Sequence, residues 1–230
     1  MIDPHELVRT MVAQAGRWEA AHDRRAIFLR TYSMMTNNML QALEQQRFAD
    51  GEWVGRLLHR FADYYFDALA CFDCGENVPL VWQEVHRAAA ERDLHILQHL
   101  LLGVNAHINY DLVLTLDEML RPEWAGLSES KRTERYQDHR LVNTIIGETI
   151  DAVQDEVVEP HSPVLRLVDQ LFGRLDERLL IGLIRRWREE VWTHAQAMLP
   201  LTTPTQREQF RQTLEAEVMQ KSRWLATDLF

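Results

Sequence analysis

The sequence predicts an all-α protein, a single-domain array of about eight to nine helices around one long buried central helix. Three observations carry that expectation. Only 9 glycines and 7 prolines occur in 230 residues, too few for the frequent turns that strands and hairpins need. Apolar side chains recur at three- and four-residue steps, and no strand-length alternating segment interrupts them. Finally, the apolar side chains of the stretch from Ile96 to Leu116 point in every direction when plotted at ~100° per residue, the pattern of a helix inside a protein.

The elements follow in order. Asp3-Pro4-x-Glu6 combines an N-cap, a proline at the first helical position and a capping-box glutamate, and starts a helix to about Ala21. A second helix covers Arg24 to Gln46, and Phe48-Ala-Asp-Gly51 turns the chain. The third, Glu52 to Ala70, carries Leu57, Leu58, Phe61, Tyr65 and Leu69 at helical spacing. Asp73 to Pro79 breaks it. A short helix from Pro79 to Glu91 leads into the long one, Asp93 to Leu120. After the loop Arg121 to Ser128, a sixth helix runs from Lys131 to Val158 and stops before Pro160. Ser162-Pro163 opens a short helix to Leu175. The last two run from Asp176 to Leu199 and, after Thr203-Pro204, to Ala226. With no repeat and no low-complexity linker, residues 1–230 read as one domain.

A formal net charge of −10 argues against nucleic acid and against an anionic membrane as partners. No window approaches the ~18 uncharged apolar residues of a membrane span. The N-terminus has no secretory pattern. Two cysteines cannot form a disulfide framework. A soluble cytoplasmic protein is expected, with a small-molecule ligand or substrate as partner; homo-oligomerisation is left open.

Polar groups on a buried helix must find hydrogen bonds, since an unsatisfied one costs ~1–3 kcal/mol. Asn105, His107, Asn109 and Asp111 are therefore the positions to explain. His107 and Asp111 stand one helical turn apart, a spacing that suits a metal site, an oriented general base or a structural pair. Asn105 and Asn109 repeat the spacing on another side. His95 and His99 also stand one turn apart, but His95 lies ~120° round the helix from His107, too far to share one ion with it. On the sixth helix His139 and Asn143 share a face amid apolar residues, the best complement to His107 and Asp111. Glu190 with His194 form an i,i+4 pair, and Arg188 stands between Trp187 and Trp192, where it can make a cation–π contact or clamp a carboxylate. Tyr65 and Trp82 supply aromatic walls. Cys71-x-x-Cys74 lacks the βαβ context of a redox motif and reads as two ordinary thiols.

Asn105-Ala-His-Ile-Asn-Tyr-Asp-Leu112 resembles the Asn-Ala-His-Ile-Asn-x-Asp-Leu motif of a bacterial, largely actinobacterial, domain family of unknown function. Supporting similarities are Tyr32-x-x-x-Thr36, Phe61-Ala-x-x-Tyr65-Phe66-x-Ala68-Leu69, Pro79-x-x-Trp82, Asp138 with Val142-Asn143, Gly173-Arg-Leu-Asp176 and Arg188-Glu189-x-x-Trp192, together spanning residues 28 to 199. The resemblance implies an all-helical fold and a site that includes His107 and Asp111. It implies no reaction. The family pattern has an apolar residue where His99 stands, which weakens a His95–His99 metal site, and it does not clearly include Glu190 or His194.

Two functions are compatible with these residues. One is a small-molecule enzyme of hydrolase or lyase/isomerase type: His107, Asp111 and His139 would be catalytic, and Tyr65, Trp82, Asn105, Asn109, Asn143, Arg188 and Trp192 would bind substrate. No motif implies a cofactor, and a divalent metal fits this reading without being required by it. The alternative is a non-enzymatic ligand-binding or scaffold protein in which the Asn/His/Asp cluster is a buried network that fixes helix register.

Overall fold

A computed structural model describes residues 4–155 and 177–227. All regular structure among them is helical: α1 (Pro4–Ala20), α2 (Arg25–Glu44), α3 (Gly51–Asp73), α4 (Leu80–Glu91), α5 (Ile96–Ala106), a π-helical segment (His107–Asp111), α6 (Leu112–Leu120), α7 (Glu129–Asp155), α8 (Glu177–Met198) and α9 (Pro204–Thr227). The all-α expectation holds. The short helix expected over 162–175 lies outside the described residues. The chain packs as two compact units, residues 1–55 with 133–186, and residues 56–132 with 187–230.

In the first unit α1 packs on α2, and Met11, Ala15 and Trp18 of α1 and Phe28 and Leu29 of α2 are buried. One carboxylate organises the entry to α3. Asp138, on α7, accepts the backbone N–H groups of Ala49 (2.8 Å) and Asp50 (2.9 Å). Asp50 in turn caps α3, accepting from the Trp53 amide at 2.9 Å. Its second oxygen takes Arg135 Nη1 at 2.8 Å, and the Arg135 guanidinium lies 4.6 Å above the Trp53 ring. Asp50 thus satisfies an orphan amide of the helix start, and a side chain from another helix holds the two residues that lead into it.

The second unit is built around the stretch 96–120. Gln98, Leu100, Leu101, Leu102, Ala106, Leu112, Val113, Leu116 and Leu120 are all buried, as the all-round apolar pattern predicts. Two details differ from a straight helix over Asp93 to Leu120. The helix begins at Ile96, because His95 acts as its N-cap: His95 Nδ1 accepts from the Leu97 amide, and Gln98 Oε1 accepts from the His95 amide. Its middle turn widens into the π segment, where the Leu112 amide reaches back to the His107 carbonyl, five residues away. One inserted residue turns everything beyond it by ~100° relative to a uniform α-helix.

At the far end, buried Asp117 accepts from Arg121 and from Arg207, each at 2.6 Å. Arg121 also donates to the carbonyls of Met198, Leu199 and Leu201, satisfying the end of α8. Among the described residues no helix is long and apolar enough to cross a membrane.

Replacing Asp138 by Ala strands two part-buried amides and is expected to lower unfolding free energy by about 1–2 kcal/mol. Asp138→Asn, which keeps one acceptor, should cost about half as much. Urea unfolding midpoints of the two variants beside the parent protein check this; equal midpoints in all three would remove Asp138 from the entry to α3.

Candidate functional site

The π segment presents polar groups in two directions, and each set has its own partners. Towards α3 and α4, His107 Nδ1 lies 2.9 Å from Asp111 Oδ2. Trp82 Nε1 donates to both Asp111 oxygens, at 2.9 and 3.1 Å. Pro79 explains the position of Trp82: it is the N-cap residue of α4, and a proline there ends the preceding segment while costing no helical hydrogen bond. Trp82 then falls in the first turn, fully buried.

Around this triad the contacts are aromatic. The Phe61 ring stacks on the His107 imidazole with centroids 3.6 Å apart and planes 9° from parallel. Tyr65 meets both His107 (6.1 Å) and Trp82 (5.1 Å) edge-on. Only 3% of His107 and 1% of Asp111 is exposed.

That burial sets the charge state. Loss of water pushes the His107 imidazole well below its ordinary 6.5 and the Asp111 carboxyl well above its ordinary 3.8, with the Trp82 hydrogen bond opposing the latter shift. Both shifts favour a pair of zero net charge, imidazole beside carboxylic acid, in a setting where an isolated charge is costly.

Towards α9 the second set is closed on itself. Asn105 donates to the Val218 carbonyl (3.0 Å) and to Ser222 Oγ (2.9 Å), while its own oxygen accepts from Asn109 at 2.8 Å. The Asn109 oxygen accepts from Lys221 Nζ, which also meets Glu190 at 2.9 Å. Thr115 Oγ1 donates to the Asp111 carbonyl at 2.7 Å, covering the backbone just past the widened turn.

The sequence-derived candidates thus separate. His107, Asp111, Tyr65 and Trp82 come together. Asn105 and Asn109 face α9 instead. Trp192 is buried edge-on against Trp124. Arg188 is buried and its guanidinium is pulled down to about 10 by desolvation, while the Trp187 ring is covered by Lys221 at 5.8 Å. His139 and Asn143 are buried in the first unit. Glu190 is held by Lys221, and His194 Nε2 stands 3.8 Å from Glu217; both are ordinary ion-pair positions. Among the described residues no three His, Cys, Asp or Glu side chains are grouped to hold a metal ion. Cys71 and Cys74 are free thiols.

Three participants escaped the sequence reading. Phe61 was visible as an apolar α3 position and in the family-like pattern with Tyr65, but not as a partner of His107. Ser222 and Lys221 lie on a helix that is largely exposed and highly charged, and their one signal is a serine on the narrow apolar stripe formed with Val218 and Leu225.

A cleft of about 760 Å³ opens in the first unit, within the ~300–1,000 Å³ typical of small-ligand sites. Val8 and Val12 of α1, Ser33, Met34, Asn37, Asn38 and Gln41 of α2, Gln45, and Ile145 and Thr149 of α7 line it. Its charged residues are internally matched. Arg30 pairs bidentately with Glu19 (2.9 and 2.7 Å), and Arg47 with Glu148 (2.6 and 2.8 Å). Asn38 Nδ2 donates to Thr149 Oγ1 at 2.8 Å, tying α2 to α7. None of the residues singled out from the sequence lines this cleft.

These features define an all-helical protein with a net-neutral His–Asp pair sealed against a widened helical turn. The chain belongs to DUF5995, a family of unknown function, which it matches over residues 5–228. No curated protein and no solved structure matches it.

The charge states predict a pH signature. The unfolded chain ionises Asp111 above about 3.8 while the native state holds the proton, so the contribution of the protonated acid is complete below that pH and is lost as pH rises through the raised native value. His107 acts in the opposite direction: the unfolded imidazole takes up a proton below 6.5 and the native one does not, so stability falls as pH drops from there towards the lowered native value. Asp111→Asn should abolish the decline on the alkaline side of pH 4 and keep the acidic one. Denaturant midpoints between pH 4 and 8 test this; an unchanged profile would mean that Asp111 is ionised in the native state.

Proposed function

We propose that this chain is a helical ligand-binding protein, in which the His107–Asp111–Trp82 network is a structural element of the second unit and the polar cleft of the first unit takes the ligand. The observation that carries this is the closure of the pair. Asp111 is held from within the protein by Trp82 Nε1, which donates to both of its oxygens, and by the hydrogen bond it shares with His107 Nδ1, and a stacked phenylalanine covers the imidazole face. A general base has to come within hydrogen-bond reach of its substrate. A role in fixing helix register needs only partners within the fold, such as Trp82 for Asp111. A cytoplasmic location, inferred from the sequence, is part of the same proposal.

One observation favours the second reading, a small-molecule enzyme of hydrolase or lyase/isomerase type with His107 as acid/base, Asp111 orienting it, and Tyr65 and Trp82 shaping the pocket. The pair lies on a π-helical turn, and such turns occur frequently at functional sites, where they aim side chains that a regular helix would point elsewhere.

Thermal and urea unfolding of His107→Ala and Asp111→Asn separate the two. The structural reading expects His107→Ala to cost about 2–4 kcal/mol, because it opens a cavity beside Phe61 and removes a partner of Asp111. It expects Asp111→Asn to cost less, since an amide still accepts from Trp82. Near-parental stability of both variants would defeat it and leave the enzyme reading standing, because catalytic groups are often dispensable to the fold.

A further inference from the structure

The amide side chains of the cleft are arranged in a row. Asn37, Gln41 and Gln45 follow one another at four-residue intervals along α2 and just past its end, and all three line the cleft. Among the described residues these three side chains make no hydrogen bond, whereas the neighbouring Asn38 is committed to Thr149. The adjacent charges are matched in pairs, Arg30 with Glu19 and Arg47 with Glu148, so the row offers hydrogen bonds without net charge. Beside it stands apolar surface, including Val12, which is 41% exposed.

We propose that the cleft binds an extended peptide segment through its backbone; this rests on the reading of the cleft as the ligand site. Four residues of α-helix advance ~6.0 Å. Two residues of extended chain advance ~6.6–6.8 Å, and every second residue turns its N–H and C=O to the same edge. A carboxamide carries one acceptor and two donors, so it can take a backbone N–H and give to a backbone C=O at once. Three carboxamides at helical steps therefore match three successive peptide units on one edge of a strand. The mismatch of under ~1 Å per step is within the reach of Asn and Gln side chains. Side chains on the alternate positions of the bound segment would meet Val8, Val12 and Met34. A free phosphate or a carboxylate would find its cations already paired. Recognition through main-chain hydrogen bonds with apolar contacts for alternate side chains is the logic of strand addition, transferred here from a sheet edge to a helix face.

The test uses the full chain labelled with ¹⁵N and three probes. The first is acetyl-Thr-Val-Thr-Val-Thr-amide; the second is the same peptide N-methylated at alternate residues; the third is maltotriose. The first probe is expected to shift the side-chain NH₂ signals of Asn37, Gln41 and Gln45 saturably, and the N-methylated one to bind at least about tenfold more weakly. The Asn37→Ala/Gln41→Ala double variant should also lose about tenfold in affinity for the first probe, with its melting temperature unchanged because neither side chain has a hydrogen-bond partner among the described residues. Equal binding of the N-methylated peptide overturns the proposal, since the backbone is then not what is read. A response to maltotriose and not to the peptide also overturns it, while leaving the cleft as a ligand site. No response of these three signals to any probe overturns both.

Discussion

The constraint on which the second unit depends is that no polar group can be left alone inside a helix buried on every side. The stretch 96–120 contributes the core of that unit and carries Asn105, His107, Asn109 and Asp111 into it. Each such group would cost about 1–3 kcal/mol if unanswered. His107 and Asp111 face α3 and α4, and Asn105 and Asn109 face α9, so two neighbouring networks draw on different helices. Trp82, Ser222 and Lys221 are placed where they are needed for that purpose.

The electrostatics follow from the same constraint. Asp117 is as buried as Asp111, but two arginines answer it, whereas Asp111 meets an imidazole and an indole. Burial lifts both carboxyls, and at Asp117 the hydrogen bond and charge of Arg207 offset the lift. At Asp111 the uncharged indole is the opposing influence, and the lift is larger. The chemical difference between the two sites lies in their partners.

How much of this the sequence disclosed depends on which physical signal each element leaves. Helical periodicity is strong and local, so the helices and the burial of 96–120 could be read directly. So could the pairing of Tyr65 and Trp82 with the site of His107 and Asp111, through a family pattern. Four kinds of feature left weaker traces. A π turn changes the phase of a helix without changing its composition, so the uniform ~100° plot placed Asn105 and Asn109 correctly on another side but gave no hint of the insertion. Partners distant in the chain, such as Ser222 for Asn105 or Asp138 for the start of α3, are set by packing. The amide row of α2 looked like ordinary surface because Asn and Gln are common there, and only the cleft gives it meaning. His95 was read as part of a helix when it caps one, since a histidine is a less familiar N-cap than Ser, Thr, Asp or Asn.

The long reach of these side-chain bonds also bears on the order in which the chain can acquire its structure. Asp138 completes the entry to α3 from almost ninety positions downstream, and Asn105 waits for Val218 and Ser222 more than a hundred positions later. During synthesis, then, helix 96–120 emerges with its apolar surface and its amides both unsatisfied, and must be tolerated in that condition until α9 arrives. Loop closure over such distances costs only logarithmically in stability, but it delays the search. The two asparagines that lock the finished fold are therefore the ones that keep its central helix uncommitted for longest.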